Sequence, residues 1–155
     1  MEWFKEAGVD LILFETMGHL DEIDVAIQSV NENKIWLSLI VKNGDHLLSG
    51  HQLDSVYELA KDKVDVLMLN CNMIDKTDRA LAGIIDNWDG DWGVYPNLGL
   101  TEPEPDGEMK EKVDKQSFKN IISRYIEMNP MVIGSCCGST PKHTEMIYKL
   151  VNQSS

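Results

Sequence analysis

The sequence predicts an α/β protein built on a parallel sheet. Five short apolar runs, rich in β-branched, aromatic and leucine residues, alternate with five amphipathic segments along the chain. The runs are almost continuously apolar, which is typical of strands that are covered on both faces. With 155 residues the chain is long enough to bury one hydrophobic core. Regular strand–helix alternation of this kind gives a parallel sheet with right-handed crossovers.

The elements follow one another in a simple order. The predicted strands are residues 10–15, 34–40, 64–70, 92–95 and 131–134. The predicted helices are residues 20–30, 53–60, 79–88, 118–128 and 140–151, where apolar side chains recur every three or four positions. The last helix has a start signal, since Ser139 and Thr140 precede Pro141. Residues 1–7 look like the tail of a further helix, and residues 96–114 are predicted to form a long loop.

Five strands are compatible with two architectures. They could form an open, doubly wound sheet or part of a (β/α)8 barrel. A complete barrel typically needs about 250 residues, so this chain has room for about five of the eight βα units. In either case we expect residues 1–155 to belong to one domain.

Charge and composition exclude several classes of partner. The chain carries 26 acidic and 14 basic residues, a formal net charge of −12, which argues against binding to nucleic acid or to an anionic membrane surface. No apolar run approaches the roughly 20 residues needed to span a bilayer. The first ten residues lack the basic start and apolar stretch of a signal peptide. Together with an odd number of cysteines, three in all, this predicts a cytoplasmic setting with reduced thiols rather than a disulfide framework.

The three cysteines indicate a metal site. Cys71 ends one apolar run, and Cys136 and Cys137 follow another. Thiols at the carboxyl ends of parallel strands can meet at one edge of a sheet despite their distance in sequence. Soft sulfur ligands suit zinc, and three protein ligands leave a fourth position open for catalysis. Two alternatives remain at this point: three inert, buried thiols, or a redox module based on the adjacent Cys136 and Cys137.

Five segments resemble, in the same order, motifs of the homocysteine S-methyltransferase family, the zinc-dependent thiol methyltransferases built on a (β/α)8 barrel. They are GVDLILFETM (8–17), WLSLIVKNGDHLLSGHQL (36–53), LNCN (69–72), VYPNLG (94–99) and IGSCCGSTPKHTEMI (133–147). The last is the most specific, and the resemblance covers essentially the whole chain. Ser135 departs from the pattern, because the family usually has glycine there. The resemblance places these segments on strands four to eight, without strands one to three.

The resemblance implies a set of roles for individual residues. Cys71, Cys136 and Cys137 would bind zinc, and the sulfur of homocysteine would take the open position. Glu15 would pair with the amino group of homocysteine. Asn70, which precedes Cys71, has two interpretations: a residue that orients the pocket or binds the substrate, or a turn residue at the strand end. Tyr95 and Asn97 could line the same mouth, but a structural role is favoured for both, and His143 is interpreted as a residue of the helix start rather than a zinc ligand.

Two functions follow from these roles. The first is transfer of a methyl group from a small donor to the thiol of homocysteine, which gives methionine. The second is an inactive or incomplete half-barrel, whose open edges would be covered by a second copy of the chain or by a separate N-terminal chain. A barrel without three units exposes strand edges and apolar surface, which favour such pairing.

Overall fold

The computed structural model describes residues 2–101, 104–105 and 108–153. Within these residues it contains five strands: β1 Leu11–Met17, β2 Lys34–Leu39, β3 Val66–Asn70, β4 Asp91–Tyr95 and β5 Val132–Ile133. The helices are α1 Glu2–Glu6, α2 Leu20–Gln28, α3 Leu53–Ala60, α4 Ile74–Asn87, α5 Lys115–Glu127 and α6 Pro141–Gln153. The predicted alternation of strands and helices is therefore confirmed.

The order of the strands separates the two architectures. The sheet runs β1-β2-β3-β4-β5, and every neighbouring pair is parallel. A doubly wound sheet reverses its strand order at a switch point, and this sheet does not. Consecutive order with right-handed crossovers places every helix on the same face of the sheet, which is the arrangement of a (β/α) barrel.

The hydrophobic core lies between the helices and one face of the sheet. Alternate strand residues point to the same face, so Leu37, Leu67 and Val94 face the helices and are completely buried. They pack in one cluster with helix residues such as Ile23 and Ile84. Helices α2 to α5 each carry buried apolar residues three or four positions apart. Short helices of this kind are stabilised mainly by packing of the apolar face, here against the sheet.

The opposite face, called here the inner face, is partly open. A cavity of about 250 Å³ on this face is lined by residues from all five strands and the segment after β5, among them Leu13, Glu15, Trp36, Met68 and Tyr95. The side chain of Leu13 is 40% exposed there. In a closed barrel such residues would fill the interior.

Element boundaries differ from the predicted ones in a few places. Helix α4 begins at Ile74, five residues before its predicted start, and α5 begins at Lys115 rather than at residue 118. Strand β1 extends to Met17, past its predicted end at residue 15, and β5 is limited to two residues. The predicted bounds of α3 agree with the structure at both ends.

The predicted loop at 96–114 contains neither helix nor strand among its described residues. Backbone pairing of Gly99 with Lys112 and burial of Leu98 and Met109 tie it to the body of the protein. Residues 102, 103, 106 and 107 of this loop, and residue 1 of the predicted first helix, lie outside the described residues. Among the described residues, no helix is both long and apolar enough to cross a membrane.

Candidate metal centre

The three cysteine thiols meet at the carboxyl end of the sheet. Cys71 follows β3, whereas Cys136 and Cys137 follow β5. The Sγ atoms of Cys71 and Cys137 are 3.3 Å apart, and those of Cys136 and Cys137 are 3.8 Å apart. All three sulfur atoms lie within 4.8 Å of one another. The structure therefore brings Cys71 together with the adjacent Cys136 and Cys137, although 65 positions of sequence separate Cys71 from Cys136.

The segment that follows β4 joins the two cysteine-bearing segments, because β4 lies between β3 and β5. The backbone N–H of Cys71 donates to the carbonyl of Tyr95, and that of Cys136 donates to the carbonyl of Pro96. The N–H of Leu98 in turn donates to the carbonyl of Cys137. Backbone hydrogen bonds thus fix the spacing of the thiols across three strands.

These sulfur positions fit a tetrahedral zinc ion. Zinc–sulfur bonds of about 2.3 Å at tetrahedral angles require sulfur atoms about 3.8 Å apart. The Cys136–Cys137 distance has this value, and the shorter Cys71–Cys137 distance needs an opening of about half an ångström. Cys71 and Cys136 are half-buried and Cys137 is exposed, so an ion can enter and a fourth position can remain open.

The protonation of the thiols is set by burial and by their mutual contact. Burial, reinforced by hydrogen bonds to Cys136 and Cys137, raises the pKa of Cys71 to about 12. Burial likewise raises the pKa of Cys136. Without a cation, the formation of several thiolates in this space is unfavourable. A divalent metal reverses this preference, because its charge compensates the negative sulfur atoms.

Cys71 has an unusual backbone conformation. Its φ angle is +55°, in the left-handed region that side chains other than glycine seldom adopt. Such a conformation persists only where the surroundings impose it. The surroundings in this case are two buried asparagines, Asn72 and Asn97.

Asn72 connects the ends of β2 and β3 with its side chain. Its Oδ1 accepts from the N–H of Val41 at 2.8 Å, and its Nδ2 donates to the carbonyls of Leu39 and Asn70, both at 3.0 Å. Only 2% of Asn72 is exposed. Its amide is fully used in satisfying backbone groups that would otherwise be buried without partners.

Asn97 completes the support from the side of β4. Its Nδ2 donates to the carbonyl of Cys71 at 3.1 Å, and its Oδ1 accepts from the N–H of Gly99 at 3.1 Å. Its own N–H donates to the carbonyl of Asn72 at 3.0 Å. The structural role predicted for Asn97 is therefore confirmed.

Asn70 is engaged with β1 and β2. Its Oδ1 accepts from the N–H of Thr16 at 3.2 Å and from the hydroxyl of Ser38 at 2.7 Å, while its Nδ2 donates to the hydroxyl of Thr16 at 2.7 Å. Thr16 has a φ angle of +61°, so Asn70 holds a second left-handed residue in place. This arrangement directs the neighbouring side chain of Glu15.

Glu15 lies on the inner face at the carboxyl end of β1. It is exposed, and its Oε1 accepts from the hydroxyl of Tyr95 at 2.9 Å. Burial, together with the Glu15 carboxylate, raises the pKa of Tyr95 and keeps it protonated as a donor. Both side chains line the 250 Å³ cavity of the inner face. The pair offers a negative, oriented carboxylate to a cationic group.

Sequence reasoning identified some of these residues and missed others. It predicted the three cysteines, Glu15 and Asn70 as site residues and assigned no role to Asn72. It favoured a structural role for Tyr95 over a place at the mouth of the pocket, whereas Tyr95 lines the cavity and donates to Glu15. Successive side chains of a strand point to opposite faces, so Tyr95 points away from the face on which Val94 is buried. This alternation could have been used to place Tyr95 on the inner face. His143 lies in the first turn of α6, where its Nδ1 accepts from the N–H of Thr140.

A model of the homocysteine S-methyltransferase family matches residues 1–151. The chain is 30% identical over 164 residues to homocysteine S-methyltransferase 3 of Zea mays, in an alignment that covers 99% of this chain and 48% of the relative. It is 25% identical over 162 residues to selenocysteine methyltransferase of Astragalus bisulcatus, covering 95% of this chain and 46% of the relative. The chain thus spans about half the length of the curated relatives it matches.

Solved structures show the same fold. The homocysteine methyltransferase MmuM from Escherichia coli in its apo form superposes with a TM-score of 0.76 at 23% identity, covering 96% of this chain and 52% of that one. Its metallated form gives a TM-score of 0.74 at 23% identity, covering 99% and 48%. The five-stranded sheet is therefore similar to about half of a TIM barrel.

Proposed function

Because the chain belongs to the homocysteine S-methyltransferase family, we propose that it holds zinc on Cys71, Cys136 and Cys137 and serves transfer of a methyl group to homocysteine. The product is methionine. The observation that carries this proposal is the cluster of three sulfur atoms within 4.8 Å of one another. When bound, zinc supplies a Lewis acid that lowers the pKa of a substrate thiol at its open position.

The residues of the chain bind and orient the substrate. Homocysteine carries an ammonium group, which the Glu15 carboxylate would bind in the cavity of the inner face. Tyr95 holds one oxygen of Glu15, which leaves the other free to face the substrate. Asn70 fixes the backbone of Thr16 and hence the direction of Glu15. A carboxylate fixed before the substrate arrives reduces the entropy cost of binding.

The transfer itself is a displacement at carbon. The substrate sulfur forms a bond to the methyl carbon of a small donor, and the bond between that carbon and its original heteroatom breaks. The bonding electrons leave with the donor, and the proton of the homocysteine thiol is released on binding. Cys71, Cys136 and Cys137 would hold the metal beside this substrate sulfur, and the charge of a bound zinc ion would keep that sulfur a thiolate at neutral pH.

Zinc content of the purified chain tests the metal site. We expect one zinc per chain in the natural sequence and none in Cys136→Ala. Ser135→Ala is the matched control, because Ser135 lies in the same segment and its buried hydroxyl has no hydrogen-bond partner among the described residues. Equal zinc in the natural chain and in Cys136→Ala would overturn the proposal.

A second candidate is a half-barrel that acts only with a partner. Two observations favour it: the chain spans about half the length of its relatives, and the inner face exposes apolar side chains such as Leu13. A second copy or an N-terminal chain would cover this face. Mass in solution and methylation of homocysteine, measured together, distinguish the two. A monomer that methylates homocysteine would exclude the second candidate, and activity confined to a larger assembly would support it.

The cytoplasmic setting predicted from the sequence is part of the same proposal. Three free thiols in contact must stay reduced to bind metal, and reducing compartments maintain them in that state. Homocysteine and a small methyl donor are the proposed partners.

A further inference from the structure

A basic cleft lies between α5 and α6, and none of the three cysteines is among the residues that line it. We call it the α5–α6 cleft and define it by Lys115, Lys119, Lys142, His143 and Lys149. Its volume is about 620 Å³, which lies within the range of sites for small molecules. The two helices that form it follow consecutive strands of this chain. Every residue that defines the cleft therefore comes from one chain.

The charge of the cleft is opposite to that of the molecule. Four lysines and one glutamate line it, a net charge of +3 with His143 counted as neutral, whereas the whole chain carries −12. Lys149 is paired with Glu145. Within the described part of the chain, no carboxylate forms an ion pair with the other three lysines. Their positive charges therefore remain available to an anion.

The start of α6 is also reversed in charge at this cleft. Helices α2, α3 and α4 carry acidic residues in their first turns, as the helix dipole favours, and the Asp114 carboxylate caps α5 beside Lys115. Helix α6 carries no acidic residue in its first turn, where Lys142 lies. A cation at the positive end of a helix is unfavourable in isolation. An anion beside the start of α6 would relieve this repulsion.

A second observation reports the same positive environment. The pKa of Glu145 is lowered chiefly by its hydrogen bond to Lys149, and Lys115 and Lys142 lower it further through their charges. Lysines from both helices thus act on one point in the cleft. A negatively charged ligand at that point would experience the same attraction.

The donors in the cleft suit phosphate groups. Lysine binds phosphate as a compact point charge, whereas planar carboxylates are typically bound by the fork of arginine. Among the described residues, no arginine lines the cleft. The Nδ1 atom of His143 accepts from the N–H of Thr140 at 3.0 Å, so the ring carries its proton on Nε2 and can donate it. We propose that the α5–α6 cleft binds a small phosphorylated anion with two or more phosphate groups.

Titration calorimetry with inorganic pyrophosphate tests this site. We expect binding at low salt that weakens as salt rises, because the contacts are ionic. Replacing two lysines, Lys115→Gln with Lys142→Gln, should weaken binding by about tenfold or more. The control is Lys61→Gln with Lys63→Gln, which removes the same charge from exposed positions between α3 and β3 and should leave affinity unchanged.

Two outcomes would overturn the proposal. One is the absence of binding at millimolar pyrophosphate in low salt. The other is equal weakening in both double variants, which would indicate a general charge effect. Because pyrophosphate also binds zinc, the titration is repeated in Cys136→Ala, where we expect the same affinity. Binding lost in Cys136→Ala would place the anion at the thiols and contradict the assignment to the α5–α6 cleft.

Discussion

Three buried asparagines support the strand ends around Cys71, and two of them, Asn72 and Asn97, surround Cys71 itself. Asn70, Asn72 and Asn97 satisfy the backbone groups where β1 to β4 end, and two of the residues they hold, Thr16 and Cys71, have left-handed conformations. Left-handed backbone costs about 1–2 kcal/mol per residue. The hydrogen bonds of the asparagines offset this cost before any metal binds. The thiol of Cys71 is therefore positioned in advance.

Asn72→Ala should destabilise the fold and weaken the metal site together. The change leaves the N–H of Val41 and the carbonyl of Leu39 buried without that partner, which should lower the free energy of unfolding by about 3 kcal/mol. Urea denaturation measures this change, and competition with a chromogenic chelator measures zinc affinity. The control, Asn120→Ala on the exposed surface of α5, should change stability by less than about 0.5 kcal/mol. Unchanged zinc affinity in Asn72→Ala would refute the positioning role.

The sequence identifies the residues with distinctive chemistry and not those that support them. Cysteine is uncommon and its position at strand ends is informative, so Cys71, Cys136 and Cys137 could be predicted. Asn72 resembles any polar residue after a strand, because its hydrogen bonds reach Val41 and Leu39, some 30 positions away. Tyr95 meets Glu15 across 80 positions of sequence. Such contacts depend on strand order, which single-sequence patterns do not specify.

At the scale of elements, α5 has the most complete start signal. Its N-cap residue Asp114 accepts from the N–H groups of Gln116 at 2.8 Å and Ser117 at 3.0 Å. Its carboxylate also accepts from the hydroxyl of Ser117. Hydrogen bonds from the Ser117 side chain and backbone and from the Gln116 backbone lower the pKa of Asp114. The cap fixes the residue at which α5 begins. The helix that follows carries the buried residues Phe118, Ile122 and Tyr125.

Asp114→Ala should reduce stability at neutral pH and lose its effect in acid. A carboxyl group whose pKa is lowered by folding stabilises the fold above its unfolded pKa of about 3.9, and this contribution disappears as pH falls through the lowered value. Chemical denaturation at neutral pH and in strong acid measures the difference between variant and natural chain. Asp89→Ala, at an exposed position between α4 and β4, is the control. A difference that persists unchanged in acid would contradict this account.

Prediction of element boundaries succeeded where apolar spacing continues to the end of the element. Helix α3 places buried residues at both ends, Leu53 and Ala60, and its bounds were predicted correctly. Helix α4 begins with the largely polar residues Asp75, Lys76 and Thr77, so the apolar pattern begins after the helix does. Thr77 can be buried there because its hydroxyl donates a hydrogen bond to the carbonyl of Met73. The first turn of α4 is thus stabilised by a polar contact, which the spacing of apolar residues does not reveal.

At the scale of the whole molecule, the two faces of the sheet differ in what they contribute. The face toward the helices is largely buried, and the inner face is partly open around a cavity that Glu15 and Tyr95 line. Stability therefore depends mainly on the first face, and the proposed binding of homocysteine on the second. This division is typical of barrels, whose catalytic groups project from strand ends.

A pair of leucine substitutions tests this division. Leu37→Ala removes a completely buried side chain and should lower the free energy of unfolding by about 2–5 kcal/mol. Leu13→Ala removes a side chain that is 40% exposed and should cost about 1 kcal/mol or less. Equilibrium unfolding in urea, at two protein concentrations, provides both values. A cost for Leu13→Ala as large as that for Leu37→Ala would show that the inner face is covered in solution.

The consecutive order of the strands has a consequence for synthesis on the ribosome. Each strand pairs with the one that precedes it in the chain, so every new βα unit can dock on a surface that has already emerged. The pairing of each new strand closes a loop that spans one βα unit, so the entropy cost of loop closure is modest and similar for every strand. The thiols of Cys136 and Cys137 then reach Cys71 only when the fifth strand has docked. Capture of a metal by all three thiols would therefore follow the docking of β5, and a chain synthesised only as far as β4 would offer the single thiol of Cys71 to the ions around it.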